Sequence, residues 1–171
     1  MGQLYRHKGP QLLIELARMR GDVDFHVVGG TEADIAYWRS RSTENVTFYG
    51  HVDQRELASF YRSFLVVLAP YRRDESVNQL KDDTEWGSPL KIFEYMSYGC
   101  CIVASDLPVI RELVGDNEAA ILCAPDNTEQ WAAAVRRLLE NADERSSLSE
   151  AAYNRYETRY TREEKVRRVL G

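Results

Sequence analysis

The sequence contains little that would mark an extracellular, membrane-spanning or nucleic-acid-binding protein. Its three cysteines are an odd number without zinc-like spacing, which favours buried, reduced thiols over a disulfide framework. No apolar run approaches membrane-spanning length, and the N-terminus lacks the pattern of a secretory signal. The formal net charge of −5 disfavours general binding to nucleic acid or anionic membranes. We therefore predict a cytoplasmic protein, in which any contact with the inner membrane is peripheral and made by a part outside this chain.

The signatures of several enzyme classes are missing as well. Gly29-Gly30 follows a strand pattern, but the next residues do not complete G-x-G-x-x-G, so a turn is favoured over NAD or FAD binding. The D-x-D stretch at 22–24 precedes a predicted strand and is interpreted as a solvated turn. His7, His26 and His51 have no partner at i+3 or i+4, and no G-x-S-x-G motif is present. We predict no cofactor and no required metal.

What the chain does contain is the composition of a globular domain, with 44% hydrophobic and 29% charged residues. Short apolar runs alternate with amphipathic stretches of helical length. The predicted strands cover residues 1–4, 23–28, 46–50, 65–69, 101–104 and 119–122, and the predicted helices begin near residues 10, 32, 53, 88, 108, 126 and 145. This alternation predicts a single α/β domain over residues 1–171, a Rossmann-like parallel sheet with helices on both faces.

One predicted helix has clear signals at both ends. Ser88 is a suitable N-cap, and Pro89 suits the first helical position, where a missing donor costs nothing. Gly99 can adopt the left-handed conformation that closes a helix. The residues predicted to face the core, at i, i+3 and i+7, are Leu90, Phe93 and Ser97.

The start of this helix is a candidate anion site. Its free N–H groups and partial positive charge favour a phosphate, and Lys91 would add a cation. Glu94, one turn further on, can accept hydrogen bonds from hydroxyl groups. Together they suit a diphosphate joined to sugar hydroxyls. The alternative is an amphipathic helix with a surface i,i+3 ion pair, which is a common arrangement.

A second basic feature lies at a predicted strand-to-helix turn. In Arg6-His7-Lys8-Gly9-Pro10, Lys8 could point to a phosphate, and Gly9 allows close approach of the backbone. The alternative is a solvated basic loop. Ligands of parallel sheets bind at the carboxyl ends of the strands, so we expect Lys8 and Lys91 to share one site. The charged, aperiodic stretch at 71–87 leads into that site, as functional loops often do.

These motifs resemble the C-terminal domain of the family-4, or group 1, retaining glycosyltransferases. The segments that carry the resemblance are 8–9, 45–52, 56–57, 60–61, 88–99, 102–105, 110–112 and 124–126. The resemblance implies the GT-B architecture, in which two Rossmann-like domains enclose a cleft. It also implies that this domain holds the nucleotide-sugar donor, whereas a separate N-terminal domain or subunit holds most of the acceptor site.

The resemblance implies roles for individual residues. Lys8 would bind the donor diphosphate and Glu94 the ribose hydroxyls, which makes these two the candidate catalytic residues. The backbone from Ser88 through Leu90 to Lys91 would lie near the phosphates, and Val52 near the base. His51, in the same loop as Val52, is a further candidate for contact with the substrate.

The sequence departs from the family pattern at two positions. Gln3 stands where the family usually has an arginine, which weakens the expected phosphate binding. Trp86 stands where a second glutamate is usual, and Glu85 is one position away. We hypothesise that Lys91 compensates for Gln3 and that Glu85 substitutes for the missing glutamate.

The expected function is that of the donor-binding half of a retaining glycosyltransferase. Such an enzyme moves a sugar from a nucleotide diphosphate to an acceptor such as a glycan or lipid-linked saccharide, as in polysaccharide biosynthesis. Lys8, Lys91 and the helix N-terminus would stabilise the charge that develops on the leaving diphosphate. Two alternatives remain open: a non-catalytic nucleotide-binding or interaction module, and a sugar-nucleotide epimerase of similar architecture.

Overall fold

Helices and strands alternate along the chain. The computed structural model describes residues 9–71 and 90–161, apart from the side chain of Gln54. The helices in these ranges are α1 (Pro10–Met19), α2 (Glu32–Arg39), α3 (Gln54–Ser63), α4 (Leu90–Ser97), α5 (Pro108–Val114), α6 (Thr128–Glu140) and α7 (Ala142–Arg159). The strands are β1 (Phe25–Val28), β2 (Val46–Gly50), β3 (Val67–Ala69), β4 (Ile102–Ser105) and β5 (Ile121–Cys123). The predicted alternation is therefore confirmed, and the predicted strand at 1–4 lies outside the described residues.

The strands named above pair in parallel. β1 pairs with β2, and Phe25 lies opposite Val46. β4 lies between β3 and β5, so that Val103 has Leu68 on one side and Ile121 on the other. These pairings form a two-stranded and a three-stranded sheet within the described ranges. The predicted parallel arrangement is confirmed.

The strands of the two sheets begin on the same side of the molecule. A cavity of about 410 Å³ is lined both by Phe25 and His26 of β1 and by Val66 and Val67 at the start of β3. The opposite ends of the strands, where β3 ends at Ala69 and β4 at Ser105, form what we call the carboxyl edge.

The core lies on both sides of the three-stranded sheet. Successive residues of β4 point to opposite faces. Val103 packs in a cluster with residues of α1, α2 and α6, among them Leu16, Trp38 and Trp131. Ile102 packs in a second cluster with residues of α3, α4, α5 and α7. A strand buried on both faces is typical of parallel sheets, and the predicted helices on both faces are confirmed.

The sequence spacing predicts a capping box of Asp53 with Glu56 at the start of α3 and a cap at Asp126 for α6, and both predictions are wrong in detail. Asp53 begins α3, but its carboxylate accepts from the amide of Arg55 instead of forming a capping box with Glu56. Helix α6 is capped by Asn127, whose side chain accepts from the amide of Gln130, and not by Asp126. The cap lies one residue later than predicted, and asparagine caps a helix as well as aspartate does.

The charged C-terminal stretch forms one long helix. Asn141 caps α7, which therefore begins at Ala142, three residues earlier than predicted, and ends at Arg159. The charge pattern of the sequence predicts a helical stretch broken near Thr161, close to that end. Residues beyond 161 lie outside the described part. In the two described ranges, no helix has both the length and the apolar character needed to cross a membrane.

The cysteines behave as predicted. Cys100, Cys101 and Cys123 are all free and buried. Burial raises their thiol pKa values to about 12, 11 and 12, respectively. A thiol that stays protonated is a poor nucleophile and metal ligand, so these side chains act as core packing.

Candidate functional site

Helix α4 carries the predicted site, and its C-terminal end has the predicted geometry. Gly99 has φ 60°, in the left-handed region. Its amide donates to Met96 O at 3.0 Å, and the amide of Cys100 donates to Tyr95 O at 2.9 Å. These two bonds are those of a Schellman motif, which fixes where the helix ends. Ser88 and Pro89, predicted to begin the helix, lie outside the described residues.

The predicted core face of α4 is wrong. Leu90 is 61% exposed, whereas Ile92, Tyr95 and Met96 are at most 2% exposed. Phe93 is only partly buried and meets the ring of Tyr160 edge-on. The helix offers two apolar stripes, and the one beginning at Ile92 buries more apolar surface. This rotation leaves Lys91 and Glu94 at the boundary between core and solvent.

At that boundary, Glu94 is held by two donors. Its Oε2 atom accepts from Lys91 Nζ at 2.7 Å and from the Tyr61 hydroxyl at 2.6 Å. Tyr61 comes from α3 and is 3% exposed, so it reaches Glu94 from the core side. We call Tyr61, Lys91 and Glu94 the Glu94 cluster. The ion pair follows from the i,i+3 spacing, whereas no spacing in the sequence connects Tyr61 with Glu94.

The electrostatics of the cluster keep Glu94 charged. Burial by itself would raise the pKa of the Glu94 carboxyl, but the hydrogen bonds from Lys91 and Tyr61, together with the positive charge of Lys91, lower that pKa below its usual value. Burial and the hydrogen bond to Glu94 raise the pKa of Tyr61 far above its usual value. Tyr61 is therefore a permanent donor at neutral pH, and Glu94 is an acceptor.

The turn before α1 packs against the carboxyl edge. Gly9 has φ 72°, and a Cβ atom added there would lie 2.0 Å from Pro70 O, so only glycine fits. Pro70 follows β3 directly, and the next residue, Tyr71, has its carbonyl bound by the Ser105 hydroxyl at 2.6 Å. Burial raises the pKa of Tyr71 to about 12, and the negative charge of Glu94 contributes to that rise. Tyr71 also packs against the buried cluster that contains Tyr61 and Tyr95. The Gly9 turn and the Glu94 cluster therefore lie at the same edge.

The other predicted site residues are placed as follows. His51 is exposed and Val52 is partly buried, and both lie in the turn between β2 and α3. No hydrogen bond or ion pair among the described residues joins this turn to the Glu94 cluster. The remaining predicted residues lie outside the described ranges and are Gln3, Lys8, Glu85, Trp86 and Ser88. Whether Lys8 and Ser88 share a cavity with Lys91 stays a prediction.

The D-x-D stretch lies at the other end of the strands, as predicted. Asp22 pairs with Arg20 at 2.8 Å, and its side chain is 67% exposed. The hydrogen bond from Arg20 lowers the pKa of Asp22 to about 2. Within residues 9–71 and 90–161, no group of three or more histidine, cysteine, aspartate or glutamate side chains is arranged to hold a metal.

Comparison with known sequences identifies relatives of this chain. The sequence pattern of the family described as "Glycosyl transferases group 1" matches residues 1–141. A phosphatidyl-myo-inositol mannosyltransferase from Mycolicibacterium smegmatis is 31% identical over 121 residues. That alignment covers 70% of this chain but only 28% of the mannosyltransferase. The chain thus spans little more than a quarter of the length of that relative.

Solved structures share the fold. The C-terminal domain of LpcC, a group 1 family protein from Francisella tularensis, superposes with a TM-score of 0.73 at 22% identity, covering 95% of this chain and 84% of that one. HepE from Anabaena, solved in complex with UDP and glucose, gives a TM-score of 0.77 at 17% identity, covering 99% and 47%. These matches confirm the predicted fold, one half of a GT-B glycosyltransferase.

Proposed function

The chain belongs to the group 1 glycosyl transferases, and from this membership we propose that it is the donor-binding half of a retaining enzyme using a nucleotide-diphosphate sugar. The observation that carries the proposal is the Glu94 cluster at the carboxyl edge. Ligands of open parallel sheets bind at this edge. The complex of HepE with UDP and glucose adds support from a protein of the same fold.

In this proposal, Glu94 recognises the ribose of the donor. A charged carboxylate accepts hydrogen bonds from vicinal hydroxyls, and each bond to a charged group contributes roughly 1.5–3 kcal/mol. Among residues 9–71 and 90–161, both donors to Glu94 bind Oε2. Its side chain is 41% exposed, and in this proposal Oε1 accepts from the 2′- and 3′-hydroxyls.

Lys91 and Lys8 would bind the diphosphate. Lys91 is 26% exposed and lies in the first turn of α4, so its flexible side chain can exchange Glu94 for a phosphate oxygen. When the glycosidic bond breaks, negative charge develops on the leaving diphosphate, and these cations stabilise it without a required metal. Gly9, packed against Pro70, would bring the backbone beside Lys8 close to the same ligand.

The acceptor would bind elsewhere. This chain aligns with only 28% of the mannosyltransferase, so we propose that a further domain or subunit completes the cleft and binds a glycan or lipid-linked saccharide. Alone, the chain would bind donor weakly and transfer little sugar. Its cytoplasmic location remains a prediction.

Isothermal titration of the chain with UDP, GDP and their hexose conjugates tests the proposal. We expect saturable binding of at least one nucleoside diphosphate, and tighter binding than of the corresponding nucleoside, because the diphosphate meets Lys91. Lys91→Met should remove most of that difference. If neither the uridine nor the guanosine nucleotides bind, the proposal is contradicted and the alternative of a non-catalytic interaction module is favoured.

A further inference from the structure

The donor contacts proposed for Glu94, Lys91 and Lys8 leave the Tyr61 hydroxyl without a role. It lies 2.6 Å from Glu94 Oε2, the same oxygen that Lys91 binds at 2.7 Å. The two donors differ in kind. Lys91 is on the same helix as Glu94, whereas Tyr61 reaches it from α3, 33 positions away in sequence. The hydroxyl therefore ties Glu94 to a second element of the fold.

The ring that carries this hydroxyl is fixed in place. Tyr61 is 3% exposed, stacks on Tyr98 with ring centroids 4.7 Å apart, and meets Tyr95 edge-on at 5.8 Å. The thiol of Cys100 also contacts the Tyr61 carbonyl oxygen at 3.8 Å. A packed aromatic side chain has only two side-chain torsions to restrict, so its hydroxyl is held at little further entropic cost.

Lys91, by contrast, can exchange its contact with Glu94 for another partner. Its ammonium lies at the end of a flexible four-carbon chain and can donate to a phosphate oxygen in place of Glu94. If Lys91 turns towards the donor diphosphate, Glu94 loses one of the two partners that it has among the described residues. Tyr61 then remains to hold the carboxylate against rotation and to satisfy Oε2.

We propose that Tyr61 is a positioning residue for donor recognition: its hydroxyl fixes the Glu94 carboxylate so that Oε1 meets the ribose hydroxyls. The inference rests on the proposed function, because it assumes that Glu94 binds ribose. It assigns Tyr61 no contact with the donor itself. Removing the hydroxyl should therefore weaken recognition of the ribose and leave the rest of the binding site unchanged.

The experiment compares Tyr61→Phe with Tyr98→Phe in the 171-residue chain. Both variants lose one hydroxyl from the same stacked pair of rings, but only the Tyr61 hydroxyl donates to Glu94. The probes are UDP, GDP and their 2′,3′-dideoxy forms, and the measurement is the ratio of ribo to dideoxy affinity. Thermal unfolding of each variant is the control that tests whether the fold is retained.

We expect Tyr61→Phe to lower the ribo-to-dideoxy affinity ratio about fivefold, the effect of one hydrogen bond of about 1 kcal/mol. The dideoxy affinities should stay unchanged, and Tyr98→Phe should keep the wild-type ratio. Equal weakening of both ligand forms by Tyr61→Phe would indicate a merely structural role and overturn the inference. An unchanged ratio would overturn it as well.

A second measurement separates the inference from the proposed function. Carbon-13 NMR titration of the Glu94 carboxyl, assigned with Glu94→Gln, needs no nucleotide. Loss of the Tyr61 hydroxyl should raise the pKa of Glu94, and Tyr98→Phe should not. If the wild-type chain does not prefer ribonucleotides, the ribose role of Glu94 fails together with the inference. If it does prefer them and Tyr61→Phe changes neither the ratio nor the pKa, only the inference fails.

Discussion

An ion pair lies at each end of the parallel strands, and the two pairs differ in exposure and in the number of elements that contribute to them. At the amino ends, Arg20 and Asp22 are two residues apart in one turn, and the Asp22 side chain is 67% exposed. At the carboxyl edge, Lys91 and Glu94 are 26% and 41% exposed and share a third partner, Tyr61, from another helix. The first pair is local, whereas the second depends on how α3 packs against α4.

This difference indicates that the Glu94 carboxylate, and not that of Asp22, is preorganised to bind a ligand. The charges of an exposed, local ion pair are solvated and screened by water, so the pair contributes little to the stability of the fold. The Glu94 cluster instead holds a charged carboxylate in a fixed orientation at the edge where ligands of parallel sheets bind. Both pairs can be read from sequence spacing, but only packing distinguishes them.

The largest difference between the two ends of the strands is expected in stability, when a glycine at each end is replaced by alanine. Gly9→Ala should lower the free energy of unfolding by about 2 kcal/mol or more, since a left-handed non-glycine residue costs about 1–3 kcal/mol. The added Cβ would also lie 2.0 Å from Pro70 O. Gly21→Ala, beside the Arg20–Asp22 pair, has no atom within 4 Å of the new Cβ and should change stability by less than about 0.5 kcal/mol.

Urea denaturation followed by circular dichroism measures both variants. Equal stabilities for the two would contradict the close contact between Gly9 and the end of β3. That contact is what places the turn after Lys8 at the carboxyl edge, so its loss would also remove the support for a shared diphosphate site.

The next effect concerns nucleotide affinity. Glu94→Gln should weaken binding of the preferred nucleoside diphosphate about tenfold, a loss of about 1.4 kcal/mol. Each of the two hydrogen bonds from the ribose would then be made to a neutral amide and not to a charged carboxylate, which weakens it by about 0.5–1 kcal/mol. Asp22→Asn is the matched control, since it neutralises the other pair at the far end of the strands. Titration calorimetry should show wild-type affinity for that control. A similar loss in both variants would indicate a general effect of charge and not a ribose site.

The sequence predicted the architecture well because burial on both faces leaves a strong signal. The run around β4 is continuously apolar, and Ile102 and Val103 alternate between two packed faces. The caps were predicted less accurately, since aspartate and asparagine cap equally well and the sequence alone does not show whether Asp126 or Asn127 begins α6.

The site was predictable only as far as its local part. The spacing of Lys91 and Glu94 predicts their contact, but α4 has two apolar stripes and the sequence does not say which one is buried. The sequence does not identify Tyr61 as a partner of Glu94. A tyrosine in an amphipathic helix is usually a core residue, and the direction of its hydroxyl depends on tertiary packing. Long-range hydrogen bonds of this kind leave no periodic signal in a sequence.

The smallest expected effect is on the pH dependence of stability. The pKa of Glu94 is lowered in the folded protein from its usual 4.5. Its stabilising contribution is therefore complete above about pH 4.5 and is lost as the pH falls through the folded-state value. Because Glu94 is 41% exposed, the contribution should stay below about 1 kcal/mol.

The measurement is the difference in unfolding free energy between the wild type and Glu94→Gln across that pH range. This difference should shrink on acidification. For Asp22→Asn, any such difference should persist to lower pH, since the folded-state pKa of Asp22 is about 2. If the Glu94 difference instead grew as the pH fell, the carboxyl would be protonated more readily in the folded than in the unfolded state. In that case Lys91 and Tyr61 would not outweigh burial, and the carboxylate would not be the prepared acceptor that distinguishes the carboxyl edge from the amino ends.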